Sequence, residues 1–179
     1  MADNQPELAI RAARAGDLEA IVRITGEAFS AESSIDARIE ALIGGCPWPE
    51  VKADVVRQEV RAFPEGCFVA EWERRVVGYV TTTFQAAASR GTIANVAVAR
   101  EWQGRGLGRR LIERALEHFR ARGVKQAKIE TLATNAAGQH LYTALGFREV
   151  ARQIHFILPL EGEGGGQGKS LTGPASECI

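Results

Sequence analysis

The sequence predicts an α/β domain with a mixed sheet, and three observations carry that reading. Segments with strand and helix periodicity alternate in the order strand, helices, three strands, helix, strand, helix, strand. The two clearest patterns, an apolar run at 91–98 and a helical repeat at 107–119, are joined by a glycine-rich turn. A length of 179 residues suits one domain with one good core, and no internal repeat or second domain is visible.

Each element has its own signal. Residues 8–14 alternate, with Leu8, Ile10 and Ala12 on one side, as a half-buried strand does. Asp17 is placed to cap a helix on which Leu18, Ile21, Val22, Thr25 and Phe29 recur at helical spacing. Ser33 or Ser34 can cap a second, short helix carrying Ile35, Ile39 and Leu42. Paired glycines and prolines make 44–49 a loop, after which Val51, Val55, Val56, Val60 and Phe63 form the apolar face of a third helix ended by Pro64 and Gly66. The runs 67–72 and 76–84, separated by a short charged turn, predict an antiparallel hairpin, and 91–98 a fourth strand. Beyond the glycine turn, Leu107, Leu111, Ala115 and Phe119 repeat at i, i+4 with Ile112 and Leu116 beside them. Arg120 and Arg122 suit the negative end of that helix and Gly123 stops it. Residues 125–133 predict a fifth strand, 135–145 a helix closed by Gly146, and 147–160 one or two further strands. The domain therefore spans 8–160, followed by a glycine-rich tail at 161–179.

Composition narrows the partners. Lys plus Arg and Asp plus Glu stand at 22 each, so no global field draws the chain to nucleic acid or to an anionic membrane. No apolar run approaches the ~20 residues that span a bilayer, and no signal segment opens the chain, which reads as cytoplasmic. Cys46, Cys67 and Cys178 lack metal-ligand spacing and read as free thiols; no metal site is expected. His118 falls on the charged side of its helix and is expected in solvent, whereas His155, in the last strand, could line an acceptor site. Gly168-Lys169-Ser170 imitates the end of a P-loop, but Glu163 stands where the first glycine belongs.

The chemistry points to Gln103-Gly104-Arg105-Gly106-Leu107-Gly108. Glycines at a strand-to-helix turn let backbone approach an anion, and the unpaired N–H groups of the helix start point at it. Arg105, Arg109 and Arg110 add positive charge there. A dinucleotide site fits poorly, because the motif lies past mid-chain and Glu130 falls inside the predicted fifth strand, not at its end. A P-loop fails because neither Lys-Ser nor Lys-Thr follows Gly108.

Gln-x-x-Gly-x-Gly after a strand ending Asn95-Val96-Ala97-Val98 resembles the acetyl-CoA-binding signature of the GNAT superfamily of N-acyltransferases. A second stretch, Asn135 to Phe147 with its Leu-Tyr-x-x-Leu-Gly-Phe ending, is similar to that family's Asn-bearing helix, and the two occur in the family's order. The resemblance implies a mostly antiparallel sheet flanked by helices and splayed between its fourth and fifth strands, with acetyl-CoA in the gap. It implies N-acetyl transfer by direct attack of a primary amine, and no metal. Val96, Ala97 and Val98 would lie along the pantetheine arm, their backbone pairing as an extra strand would. Gln103, Gly104, Arg105, Gly106, Leu107, Gly108 and Arg109 would hold the diphosphate, and Asn135 would contact the cofactor.

Two residues are the expected catalysts. Tyr142 lies seven residues beyond Asn135, two helical turns on the same face, and the resemblance makes it the phenol that protonates the departing thiolate. Glu130, twelve residues before Tyr142, falls where bacterial ribosomal-protein N-terminal acetyltransferases carry a catalytic Glu; ordered water is the alternative base. That comparison favours a protein or peptide N-terminus as acceptor, while the N-terminal helices, with Phe29 and Trp48, could equally surround a small amine. A non-catalytic acyl-CoA sensor is the competing reading, which the presence of Tyr142 disfavours. A homodimer is compatible with all of this.

Overall fold

A computed structural model describes residues 8–30 and 33–160. The glycine-rich tail, with Lys169, Ser170 and Cys178, lies outside the described residues. The strands are β1 (Ala9–Ala12), β2 (Phe68–Trp72), β3 (Arg75–Gln85), β4 (Arg90–Val98) and β5 (Gln126–Ile129). The helices are α1 (Leu18–Ala28), α2 (Ile35–Ile43), α3 (Trp48–Ala62), α4 (Leu107–Ala121) and α5 (Ala136–Ala144). The sheet runs β1-β2-β3-β4-β5, antiparallel except for the last, parallel pair. A mixed, mostly antiparallel sheet is therefore observed, and its order excludes a doubly wound dinucleotide fold.

Helices cover both faces. On one side Ile21 and Ile24 of α1 and Val56 of α3 pack on Val69, Tyr79 and Ala97. There the Tyr79 hydroxyl stands 2.7 Å from Thr25 Oγ1, which itself donates to the Ile21 carbonyl, so the phenol is the donor of the pair. On the other side Leu107, Leu111, Ala115 and Phe119 of α4 fill the sheet surface formed by Phe68, Val77, Val80 and Ile93. The Phe119 ring lies so close to β4 that a Cβ on Gly91 would stand 2.5 Å from it.

Several expectations give way to packing. Asp17 makes no side-chain cap bond to α1; it accepts from the Arg14 amide at 2.7 Å and pairs with Arg11. Helix α3 begins at Trp48 inside the predicted loop, because Glu40 accepts from the Trp48 amide at 2.8 Å and Pro49 is tolerated in a first turn. Its core face is Ala53 and Val56, with Val51 and Val55 left exposed. His118 is not a solvated surface residue: its ring lies 5.3 Å from that of Phe68 and 6.1 Å from that of Phe63. Burial, then the neighbouring Arg122 and Arg114, lower its pKa.

The largest departure follows α5. Residues 147–160 form no strand, and the even-numbered apolar set Val150, Ile154, Phe156, Leu158 and Leu160 faces solvent. Their alternation is that of a strand, but a strand exists only with a ladder partner, and the outer edge of β5 carries none among the described residues. His155, expected in a last strand beside the acceptor, is exposed on this segment.

Candidate active site

The site begins with a split in the sheet. β5 pairs with β4 only from Arg90↔Gln126 to Ile93↔Ile129, and β4 runs on to Val98 paired with β3 but not with β5. At the start of that free stretch Thr81 faces Asn95 and Thr82 faces Ile93, which leaves Ala94 as the extra residue of a β-bulge. A cleft of about 240 Å³ opens there. Its walls come from the end of α1 and the following turn (Phe29, Ser30, Ser33), from β4 (Ala94 to Val96), and from Glu130, Thr131, Asn135 and Tyr142.

The exposed edge of β4 follows from its ladder. The Ala99 amide donates to the Val77 carbonyl at 2.9 Å, so alternation turns the backbone groups of Ala97 toward β3 and those of Val96 and Val98 toward the open side. The Ala97 side chain is buried in the α1/α3 core. Ala97 is thus turned from the cleft on both counts, whereas Val96 and Val98 offer an unpaired strand edge. One group there is already taken, since Gln103 Nε2 donates to the Val98 carbonyl at 3.1 Å.

The glycine turn has the geometry an anion needs. Gly104 and Gly106 sit at φ +74° and +77°, left-handed backbone that other residues adopt at a cost. The Arg110 amide, donating to the Gly106 carbonyl at 3.2 Å, is the first to bond within α4. The amides of Leu107, Gly108 and Arg109 therefore point out of the helix start with the positive end of its dipole. The arginines are partly committed: Arg105 covers the Trp102 ring at 4.7 Å, Arg109 reaches Glu113 and the Ala144 carbonyl, and Arg110 the Leu8 carbonyl. Gly108 faces Leu141 of α5, which docks that helix beside the turn.

On the far wall, Asn135 caps α5. Its Oδ1 accepts from the Gly138 amide at 3.0 Å and its Nδ2 donates to Thr131 Oγ1 at 2.9 Å. Tyr142 lies seven residues along the same helix with its ring edge-on to Phe147 at 6.3 Å, and burial raises its pKa. Glu130 is not inside β5 but just beyond it, since the strand ends at Ile129. Its side chain is 58 % exposed and accepts from Lys128 Nζ at 2.9 Å. Trp48 does not reach the cleft lining, but Phe29 does.

The sequence reading missed Asn95, a polar side chain 4 % exposed on the wall of the cleft. The signal was present: alternation puts an amide on the inward face of an apolar strand, where a polar group needs a reason. Cys67 is buried and its thiol is pushed up to about 11 by that burial, which makes it inert at neutral pH. Among the described residues no group of three His, Cys, Asp or Glu side chains is placed to hold a metal ion, and no helix is long and apolar enough to cross a membrane.

A mixed sheet split beside a glycine turn defines a class, and comparison with known proteins agrees. The chain belongs to the acetyltransferase (GNAT) family, whose profile matches residues 27–147. It is 30 % identical over 118 residues to the [ribosomal protein bS18]-alanine N-acetyltransferase of Escherichia coli K12, covering 60 % of this chain and 80 % of that one. It is 31 % identical over 107 residues to N-alpha-acetyltransferase 30 of Schizosaccharomyces pombe, covering 58 % and 71 %. In fold it is similar to the PaiA N-acetyltransferase of Thermoplasma acidophilum, solved with coenzyme A, at a TM-score of 0.64 and 17 % identity over 79 % of this chain and 90 % of that one. The protein is an acetyl-CoA-dependent N-acetyltransferase.

Proposed function

We propose that the acceptor is the α-amine at the N-terminus of a protein or peptide. The observation that carries this reading is that Glu130 and Tyr142 line one cleft together with the open edge of β4. The relatives named for alanine N-acetylation of a ribosomal protein and for N-alpha-acetylation support it. The cleft lies on the molecular surface beside the turn after α1, where a chain end can enter with its peptide continuing into solvent.

This reading gives each residue a role. The backbone of Val96 and Val98 pairs with the pantetheine amides, and the amides of Leu107, Gly108 and Arg109 hold the diphosphate over a turn shaped by Gly104 and Gly106. Gln103 acts indirectly, by fixing the end of β4 through the Val98 carbonyl. Asn135 shapes the wall as the cap of α5. Glu130, directly or through one water, takes a proton from the acceptor ammonium, because only a neutral amine has a lone pair to attack. A C–N bond forms at the thioester carbon as the C–S bond breaks, Tyr142 gives its proton to the departing thiolate, and the second proton lost by the attacking nitrogen returns to the phenolate through solvent, which restores the acid. The raised pKa of Tyr142 keeps the phenolic proton in place through the neutral range.

The test is release of free thiol from acetyl-CoA with unblocked peptides, the same peptides blocked at the α-amine, free amino acids, polyamines and aminoglycosides. Turnover on unblocked peptides alone is the expected result. Turnover on a small amine with none on peptides overturns this choice of acceptor.

A further inference from the structure

Asn95 has no part in the chemistry above, yet it lines the cleft and is almost wholly buried. Its Oδ1 is buried without a hydrogen-bond partner among the described residues. The other end of the amide is fully engaged. Nδ2 donates to Glu59 Oε2 at 2.5 Å and to Thr81 Oγ1 at 3.2 Å, and Thr81 Oγ1 donates to the same Glu59 oxygen at 2.8 Å.

This three-membered network decides which end of the amide is which. A carboxylate only accepts, so the nitrogen of Asn95 must face Glu59 and the oxygen takes the other terminal position of the planar amide. Turning the amide over would set two acceptors against each other. Folded proteins seldom leave a buried carbonyl oxygen without a donor, and a donor is the partner missing here.

The acceptor amine is a donor that belongs in this cleft. Once neutral it aims its lone pair at the thioester carbon and carries N–H bonds that need acceptors where water has been displaced. We infer that Asn95 Oδ1 accepts a hydrogen bond from the acceptor amine and so turns its lone pair onto the thioester carbon, with Glu59 holding the amide in that orientation. A neutral oxygen suits the task, since it directs the amine without competing for its proton. Asn95 is then a substrate-orienting residue supported from behind the sheet by α3.

The inference rests on transfer to an amine and not on which amine is taken. The experiment therefore uses an alanine-initiated peptide, or the best amine of the panel above if peptides are not turned over, so failure of the acceptor class and of this inference remain separate. Asn95→Ala is expected to lower kcat/KM for the acceptor about tenfold or more, mainly through KM, while the KM for acetyl-CoA and its slow hydrolysis without acceptor stay at parent values. Thr81→Val removes the Thr81 bonds but leaves the Asn95–Glu59 bond and the amide oxygen in place; it should lower Tm and leave the acceptor kinetics within about twofold. If the alanine variant does not fold, Asn95→Ser withdraws the oxygen while leaving Glu59 a donor, and is read in the same way. Parent acceptor kinetics in the Asn95 variant, or an equal loss in Thr81→Val, overturns the inference.

Discussion

Lys128 Nζ and Glu130 Oε1 stand 2.9 Å apart where β5 gives way to the cleft wall. The candidate base thus has a cationic neighbour and a half-open surface, and it shares one wall with Tyr142. Glu130→Gln keeps size and polarity and removes the proton acceptor. Turnover over acceptor KM should fall by roughly 10²-fold at neutral pH and recover as rising pH deprotonates the free amine. Superimposable pH profiles for parent and variant would leave ordered water as the proton path.

For Tyr142 the expected change is in kcat. Tyr142→Phe keeps the ring against Phe147 and loses only the hydroxyl, so turnover should drop roughly 10²-fold with CoA affinity unchanged. The pH dependence has a definite sign. Burial raises the phenol pKa, so the acid form persists beyond the usual value of 10, and the alkaline limb assigned to this group must lie above that. A variant at parent rate would make the residue structural.

The glycine turn is tested by binding alone. A ligand at 100 times its dissociation constant adds about 2.7 kcal/mol to the native state, so free CoA should raise the parent's Tm. Gly106→Asp brings a negative charge to the start of α4 and a side chain to φ +77°. A folded Gly106→Asp protein that still shows the full CoA shift would remove the diphosphate from this turn.

What could be read in advance was what is local. The helix after the glycine turn, the antiparallel hairpin and the Asn135 to Tyr142 spacing each rest on contacts a few residues apart, and the structure has them. What depended on a distant partner could not be read. The strand pattern at 150–160 is correct as a pattern, but strand formation requires an edge that the segment does not occupy. His118 looked solvated by its helical neighbours and is enclosed by Phe63 and Phe68 from other elements. Asn95 passed as one more strand residue because Glu59, which gives its amide a direction, comes from a helix 36 positions earlier.

Asn135 illustrates a role that spacing placed but did not explain. The family resemblance implied contact with the cofactor, and the structure gives its side chain a second task, bonding Gly138 and Thr131 at the start of α5. Asn135→Ala should therefore cost about 1 kcal/mol of stability, as the loss of a helix cap does. CoA binding should weaken only as far as α5 loosens. A large loss of CoA affinity at unchanged Tm would instead mean direct contact.

The last prediction concerns the ion cluster under β1. Arg11 reaches Asp17 through both terminal nitrogens, at 2.7 and 2.9 Å, and also pairs with Glu71. The Arg11 hydrogen bonds hold the Asp17 carboxyl below its usual 3.8, with burial opposing and the Arg14 amide adding to the effect. For a carboxylate with a lowered folded pKa, the stabilisation is fully present above the unfolded value and is lost as pH falls through the lower, folded one. Hydrogen bonds to a charged group contribute about 1.5–3 kcal/mol, so Asp17→Asn should lower unfolding free energy by roughly that amount at pH 7. Urea unfolding of parent and variant along an acid series should show the gap closing only below the unfolded carboxylate value. A gap that persists unchanged into strong acid would mean that packing around Asp17, and not its charge, supplies the stabilisation.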